Sequence, residues 1–177
     1  GWGEINGTHN RTNYDLSRHQ EYSGKSMEYL DPETNEKYIP YVVEPSVGVE
    51  RLFLVTLFNA YDKELLESGE EREVLRLHPA LAPYKVAVLP LIKKRHSEKA
   101  IEVYQQLAKS FVVTYDETQQ IGKRYRRQDA IGTPFCITVD DQTIEAGTVT
   151  VRNRDTMLQD VVKLEDLESY IASRIKF

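Results

Sequence analysis

Apolar and polar positions along the chain divide it near residue 76. Residues 1–43 read as short extended runs. In "SMEYLDPETNEKYIPYVV" two such runs flank the turn formers Asp31, Pro32, Glu33, Thr34 and Asn35, which predicts a hairpin. "YVVEPSVGVERLFLV" then predicts a strand, a tight corner and an apolar helix over 47–61. Val49, Leu52, Phe53 and Leu57 share one face of it, and Val47, Leu54, Val55 and Phe58 cover much of the rest. A helix apolar nearly all round is expected to be buried on most sides. Residues 62–76, "DKELLESGEEREVLR", are charged and hold Ser68-Gly69, which predicts a solvated connector and a domain boundary.

After Pro79 the pattern changes. "YKVAVLPL" is a continuous apolar run of the kind buried in a parallel sheet. "SEKAIEVYQQLAKS" (97–110) predicts an amphipathic helix with Ser97 as its N-cap and Ala100, Tyr104, Leu107 and Ala108 on one face. "FVVTYD" predicts a strand, and "QQIGKRYRRQDAIG" a short basic helix ending at Gly132. "PFCITVD" and "GTVTVRN" predict two more strands joined through a turn at Asp140-Asp141. "MLQDVVK" adds a fifth strand and 164–175 a closing helix. The order βαβαβββα points to a mixed sheet flanked by helices.

Composition adds limits rather than a function. The chain has 177 residues, 40% hydrophobic and 29% charged, as in ordinary globular proteins. No apolar run reaches the roughly 18 residues that span a bilayer. One cysteine, Cys136, leaves no partner for an internal disulfide and fits a reducing, cytoplasmic setting. It alternates with Phe135 and Ile137, the pattern of a small core residue. A net charge of −5 gives no global field for nucleic acid, so any such contact needs a local patch. The missing initial Met, with a strand already under way, is the pattern of a cut through a larger protein.

Arg51 stands within the apolar helix, beside Glu50. An unpaired buried guanidinium is costly. Its partner is therefore either a protein carboxylate or an anionic or aromatic ligand at the glycine corner, where helix N–H groups favour anions. Glu44 and Ser46 precede that corner; they can face a small ammonium-bearing ligand, or Ser46 can cap the helix. Glu4 is expected in a strand, on one face with Trp2 and Asn6. His9, His19, His78 and His96 stand apart, so no metal site is predicted. Lys123, Arg124, Arg126 and Arg127 form a basic stretch around Tyr125, and Arg152 and Arg154 follow a strand. Such a set suits a nucleic-acid loop or a plain solvated face.

These stretches resemble one family. "EPSVGVERL" resembles motif 3 of class II aminoacyl-tRNA synthetases. "GWGEINGTHNRTNYDL" is similar to the preceding catalytic strand and loop of the glycyl-tRNA synthetases. "LAPYKVAVLPL", "IGKRYRRQDAIGTPFCITVD" and "TVTVRNRDTM" resemble their anticodon-binding domain, and the matches run in order along nearly the whole chain. The resemblance implies an α+β or α/β chain in two parts. Residues 1–76 would be a remnant of the class II antiparallel sheet with its motif 3 helix, and 77–177 an anticodon-binding domain with a mixed five-stranded sheet. It implies a cytoplasmic, homodimeric ligase that joins glycine to tRNA(Gly) through glycyl-adenylate, with ATP and Mg²⁺. It places Glu44, Pro45, Ser46, Val47 and Gly48 around glycine, and Glu4, Ile5, Gly48, Val49, Glu50 and Arg51 at ATP, with Arg51 catalytic. Lys123, Arg124, Arg126, Arg127, Arg152 and Arg154 would face the anticodon arm. Glu50 departs from the glycine or aspartate common in the family. The family's motifs 1 and 2 have no counterpart in these residues, so the chain alone is expected to be inactive. Two other readings are a non-catalytic relative, such as a DNA polymerase accessory subunit, and the anticodon domain of a threonyl, prolyl or histidyl enzyme.

Overall fold

A computed structural model describes residues 3–176. Trp2, expected beside Glu4, lies outside them. The chain divides into two compact units between Val55 and Thr56.

In the first unit, β1 (Asn6–Thr12) pairs antiparallel with β4 (Val42–Val47). Helix α1 (Tyr14–Ser23) follows β1 and stops at Gly24, whose φ of 68° is the left-handed C-cap conformation. The expected hairpin is present as β2 (Tyr29–Leu30) against β3 (Lys37–Tyr38), stacked through an edge-to-face Tyr29–Tyr38 pair at 5.8 Å. Glu4 lies outside the strand, contrary to expectation, for a topological reason. Asn6 is opposite Val47, the last residue of β4, so the chain before Asn6 has no strand to pair with.

Helix α2 (Val49–Ala60) forms where the apolar run predicts it. Its burial does not follow. Val49, Leu52, Phe53, Leu54 and Phe58 are exposed, Phe58 by 81%, and Ala60 is the buried residue of the helix. Apolar content drives a helix inward only where another surface meets it, and the described residues supply little.

The second unit opens with a hairpin where a connector was expected: β5 (Tyr61–Leu65) antiparallel to β6 (Glu71–Leu75). In "EREVL" every second side chain turns inward, so Arg72 and Val74 are buried while Glu71 and Glu73 are exposed. One inward residue is an arginine, which hides the period from any hydropathy reading. Gly132, which ends α4 (Ile121–Ile131), has a φ of 84°, and a Cβ there would stand 3.0 Å from the Leu75 carbonyl oxygen at the end of this hairpin.

The main sheet runs β11-β10-β9-β7-β8. β7 (Val86–Pro90) is central and parallel to β8 (Val113–Tyr115) and β9 (Phe135–Val139). β10 (Thr148–Asn153) is antiparallel to β9 and to β11 (Gln159–Lys163). Every residue of β7 and β9 is buried, as a strand covered on both faces requires. One face packs Val86, Val88, Ile137, Val149 and Val151 against Ala100, Val103 and Leu107 of α3 (Lys93–Leu107) and Leu167 and Ile171 of α6 (Leu167–Ala172). The other packs Ala87, Leu89 and Cys136 beneath Ile121 and Tyr125 of α4. Burial pushes the Cys136 thiol up to about 12, so it remains a neutral core group.

Two local expectations fail at helix starts. Ser97 does not cap α3, which begins four residues earlier. Its hydroxyl donates back to the Lys93 carbonyl, and the Ile92 N–H is satisfied by His96 Nδ1 at 3.0 Å. The Asp140-Asp141 turn is a short helix, α5 (Asp141–Ala146), with a reciprocal cap between Asp140 and Thr143. No helix among the described residues is long and apolar enough to cross a membrane.

Candidate functional site

Two clusters carry the chemistry-bearing residues, one in each unit. In the first, antiparallel pairing places His9 opposite Glu44 and Gly7 opposite Ser46, so these four share one face of the ladder. Glu44 Oε2 accepts from Arg11 Nε at 3.1 Å, and the same nitrogen lies 3.3 Å from Asp15. The His9 imidazole folds over Gly7: a Cβ on Gly7 would come 2.6 Å from His9 Nε2. The residues around His9 do not single it out for this face, because flanking turn formers obscure the strand.

The corner after β4 gathers a second group. Gly48 N–H donates to the Ile5 carbonyl at 3.4 Å, and the Leu52 N–H donates to the Gly48 carbonyl at 2.9 Å, which starts α2. Arg51 Nη1 donates to the Glu4 carbonyl at 2.6 Å. Glu4, Ile5, Gly48 and Arg51 are thus brought together although 47 positions separate Glu4 from Arg51. Arg51 itself is exposed, and so are Val49 and Glu50. The cation expected to need a buried partner sits on an open corner and leans on a backbone oxygen. A guanidinium there has the planar donor fork that suits a phosphate or a base.

In the second unit the basic residues separate into two kinds. Lys123 is exposed, and Arg126 and Arg127 are partly so. Arg124, Arg152 and Arg154 are interior, 3%, 4% and 2% exposed. Arg124 donates to the carbonyls of Pro90, Thr118 and Gln119. Arg152 holds Asp129 through two bonds, 2.8 and 3.0 Å, with its guanidinium 4.8 Å above the Tyr125 ring. Arg154 donates to the carbonyls of Gly132 and Leu77 at 2.8 and 2.7 Å and grips Asp155. These three are framework residues, because fully enclosed guanidiniums offer no surface to a nucleic acid. Arg72, whose glutamate-rich neighbours give no sign of burial, completes the framework. It donates to Asp129 at 2.9 Å, to Glu64, and to the Arg154 carbonyl.

The end of the sheet where β7, β8 and β9 finish is polar. Glu117 accepts from Lys93 at 2.5 Å, from Tyr115 at 2.8 Å and from Ser97 at 2.9 Å. These donors, Lys93 foremost, hold its carboxyl down at about 2. Arg95 pairs with Asp141 at 2.8 Å, and the buried His96 reaches the same carboxylate at 2.9 Å. Because His96 Nδ1 accepts from the Ile92 N–H, its Nε2 is the donor to Asp141.

Comparison with known proteins gives these clusters a context. Residues 85–174 match the family model described as Anticodon binding domain. Over its whole length the chain is 56% identical to "Glycine--tRNA ligase" of Clostridium beijerinckii, of which it covers 38%. It is 59% identical over 181 aligned residues to the protein of the same name from Clostridium perfringens, and 56% identical over 177 to that of Geobacillus kaustophilus, again covering 38% of each. The chain therefore spans well under half the length of these relatives. The RNA binding domain of threonyl-tRNA synthetase from Cryptosporidium parvum Iowa II superposes with a TM-score of 0.65 at 21% identity, covering 84% of this chain and 35% of that one, a likeness of fold. The matched segment takes in the sheet from β7 to β11 and its helices, and on that ground the chain belongs to the anticodon binding domain family.

Proposed function

We propose that the chain is the C-terminal part of a glycine–tRNA ligase. In this reading the second unit binds the anticodon arm of tRNA(Gly), and the first is a remnant of a class II catalytic sheet with its motif 3 helix. The observation that carries it is the identity of 55 to 59% to proteins named glycine–tRNA ligase along the full chain, first unit included. The full-length protein would be a cytoplasmic homodimer that condenses glycine with ATP and passes the glycyl group to the tRNA.

Glu44 and Ser46, on one ladder face, would take the glycine ammonium, with Pro45, Val47 and Gly48 shaping the wall beside them. Glu4, Ile5, Gly48, Val49 and Glu50 would border ATP, and the Arg51 guanidinium would lie on the nucleotide. Its hold on the Glu4 carbonyl supports this, because the bond fixes the fork at the corner before any ligand arrives. Such a site works by placement and charge rather than by a covalent nucleophile. Mg²⁺ would enter with the phosphates of ATP. Among the described residues no three His, Cys, Asp or Glu side chains gather into a metal site. Exposed Lys123 and partly exposed Arg126 on α4, and exposed Lys94 at the start of α3, would meet tRNA phosphates, while Lys93 is already paired with Glu117.

The test is ATP–pyrophosphate exchange by the full-length protein. Exchange that depends on glycine and is weakened in Arg51→Ala is expected. Exchange with another amino acid instead of glycine, or an unchanged ATP requirement in Arg51→Ala, would overturn the reading of this site. The 177-residue chain alone is expected to show no exchange.

A further inference from the structure

The main sheet ends in two edges of different kinds. β8 is short, and its three residues are buried or partly buried. β11 runs over five residues in unbroken antiparallel register with β10, and all of them but Val162 are exposed. Protein edges are ordinarily blunted by brevity, by proline, by a bulge or by a charge at the centre of the strand. β11 has none of these. Its central residue is Val161, 74% exposed, and Leu158 just ahead of the strand is 71% exposed.

The ladder fixes which backbone groups of β11 remain open. The Asn153 N–H donates to the Leu158 carbonyl at 3.0 Å, and the Leu164 N–H donates to the Gly147 carbonyl at 2.9 Å. Leu158 and Leu164 thus turn their backbone groups to the β10 side, and by the period of two so do Asp160 and Val162. Gln159, Val161 and Lys163 turn theirs outward, where no strand among the described residues meets them.

A second β11 fits this edge in the antiparallel register centred on Val161, which uses every open group of the strand. Gln159 then faces Lys163 of the second copy, Val161 faces Val161, and Lys163 faces Gln159, each pair exchanging both of its N–H···O bonds. On this face an apolar pair takes the centre and each ammonium meets an amide, so no charge stands opposite its like. On the other face Asp160 lies opposite Val162, with its carboxylate held by the Tyr170 hydroxyl at 2.5 Å. One step further, exposed Leu158 comes over the partly buried Leu164 of the second copy.

We propose that β11 is an interface between two copies of this chain, joined edge to edge about Val161 into a sheet continuous through both. The pairing is isologous: the same residues face their counterparts across a twofold axis, so the edge is used up in a pair. The proposal is independent of the ligase reading.

The test is sedimentation velocity of the intact protein over a range of concentrations, joined to cysteine cross-linking. The wild type is expected to show an association step. Val161→Lys, which sets two ammonium groups face to face at the axis, should move that step to about tenfold higher concentration or beyond. Association through any other surface of the intact protein would persist in the variant. Under oxidation Val161→Cys is expected to form a covalent dimer, since residues paired there lie about 5.5 Å apart, within disulfide reach. Gln159→Cys should not, because in this register its two copies stand about 14 Å apart at a rise of roughly 3.4 Å per residue. Cys136 is buried and does not compete. Both substituted positions are exposed, so the variants are expected to keep the wild-type unfolding midpoint. A wild type without the association step, or an unchanged step in Val161→Lys, would overturn the proposal. Cross-linking of Gln159→Cys as fast as Val161→Cys would do the same. So would slow hydrogen exchange at the outward amides of Gln159, Val161 and Lys163 in protein that does not associate, which would show another segment of the intact protein covering the edge.

Discussion

Arg51 in the first unit and the arginines of the second exchange the environments their sequence neighbours suggest. Arg51 sits in "VGVERLFLV", a strongly apolar stretch, and is exposed with one backbone oxygen as a partner. Arg72 sits in "GEEREVLR", among glutamates, and is completely enclosed. Local hydropathy describes what a segment prefers. Burial depends on whether a second surface covers it and whether a charge there finds its counter-charge. Asp129 provides that counter-charge for Arg72 and Arg152 at once, and nothing near any of the three in sequence announces it.

The comparison can be broken most forcefully at Asp129. Asp129→Ala would leave the enclosed Arg152 without its carboxylate and Arg72 with Glu64 alone, with an expected loss of about 3–5 kcal/mol in urea or thermal unfolding. A loss below about 1 kcal/mol would show that the cluster is only a by-product of the fold. Arg72→Met keeps most of the packing and leaves Asp129 its bonds to Arg152, but strands the Arg154 carbonyl. About 2 kcal/mol of destabilisation is expected, read in the same unfolding experiment.

A smaller effect separates the exposed rim from this interior. The folded Glu117 carboxyl lies at about 2 against its ordinary 4.5. A depressed carboxyl contributes stability that is complete above the unfolded value and disappears as pH falls through the folded one. Stability should therefore decline from about pH 4.5 toward pH 2, and Glu117→Gln should flatten that limb of the curve. An identical acid limb in the variant would remove the Lys93–Glu117–Tyr115 cluster as a contributor. Arg51→Ala marks the lower end. An exposed side chain with one backbone contact should change unfolding stability by less than about 0.5 kcal/mol, so a larger loss of ATP affinity in the intact protein would support the proposed nucleotide contact.

Much of the second unit was legible from its residues. "YKVAVLPL" and "PFCITVD" announce the two-sided burial of β7 and β9, and Gly132 marks the end of α4 through its left-handed backbone. The hairpin β5–β6 was not legible, because its buried period is carried by Arg72 as much as by Val74. Ser97 misled for a related reason: the α3 start is satisfied by a ring nitrogen, His96 Nδ1, which cap preferences do not include. At the candidate sites, sequence position alone brought Glu44 and Ser46 together before the glycine corner, and the strand pairing puts them on one face. Sequence position did not bring Glu4 to Arg51, since that contact depends on how β1 enters the corner. Arg124, Arg152 and Arg154 read as surface cations because their acceptors, mostly backbone carbonyls, have no sequence signature.

The rivet between Arg72 and Asp129 also bears on how this protein can be taken apart and reused. A transplantable version of the second unit that began at residue 77, where charge and a Ser-Gly pair suggest a seam, would discard Arg72 and open the floor beneath Asp129 and Gly132. By the same bonds a portable module would start ahead of Tyr61, and any hybrid protein assembled around it would inherit the hairpin as part of its foundation.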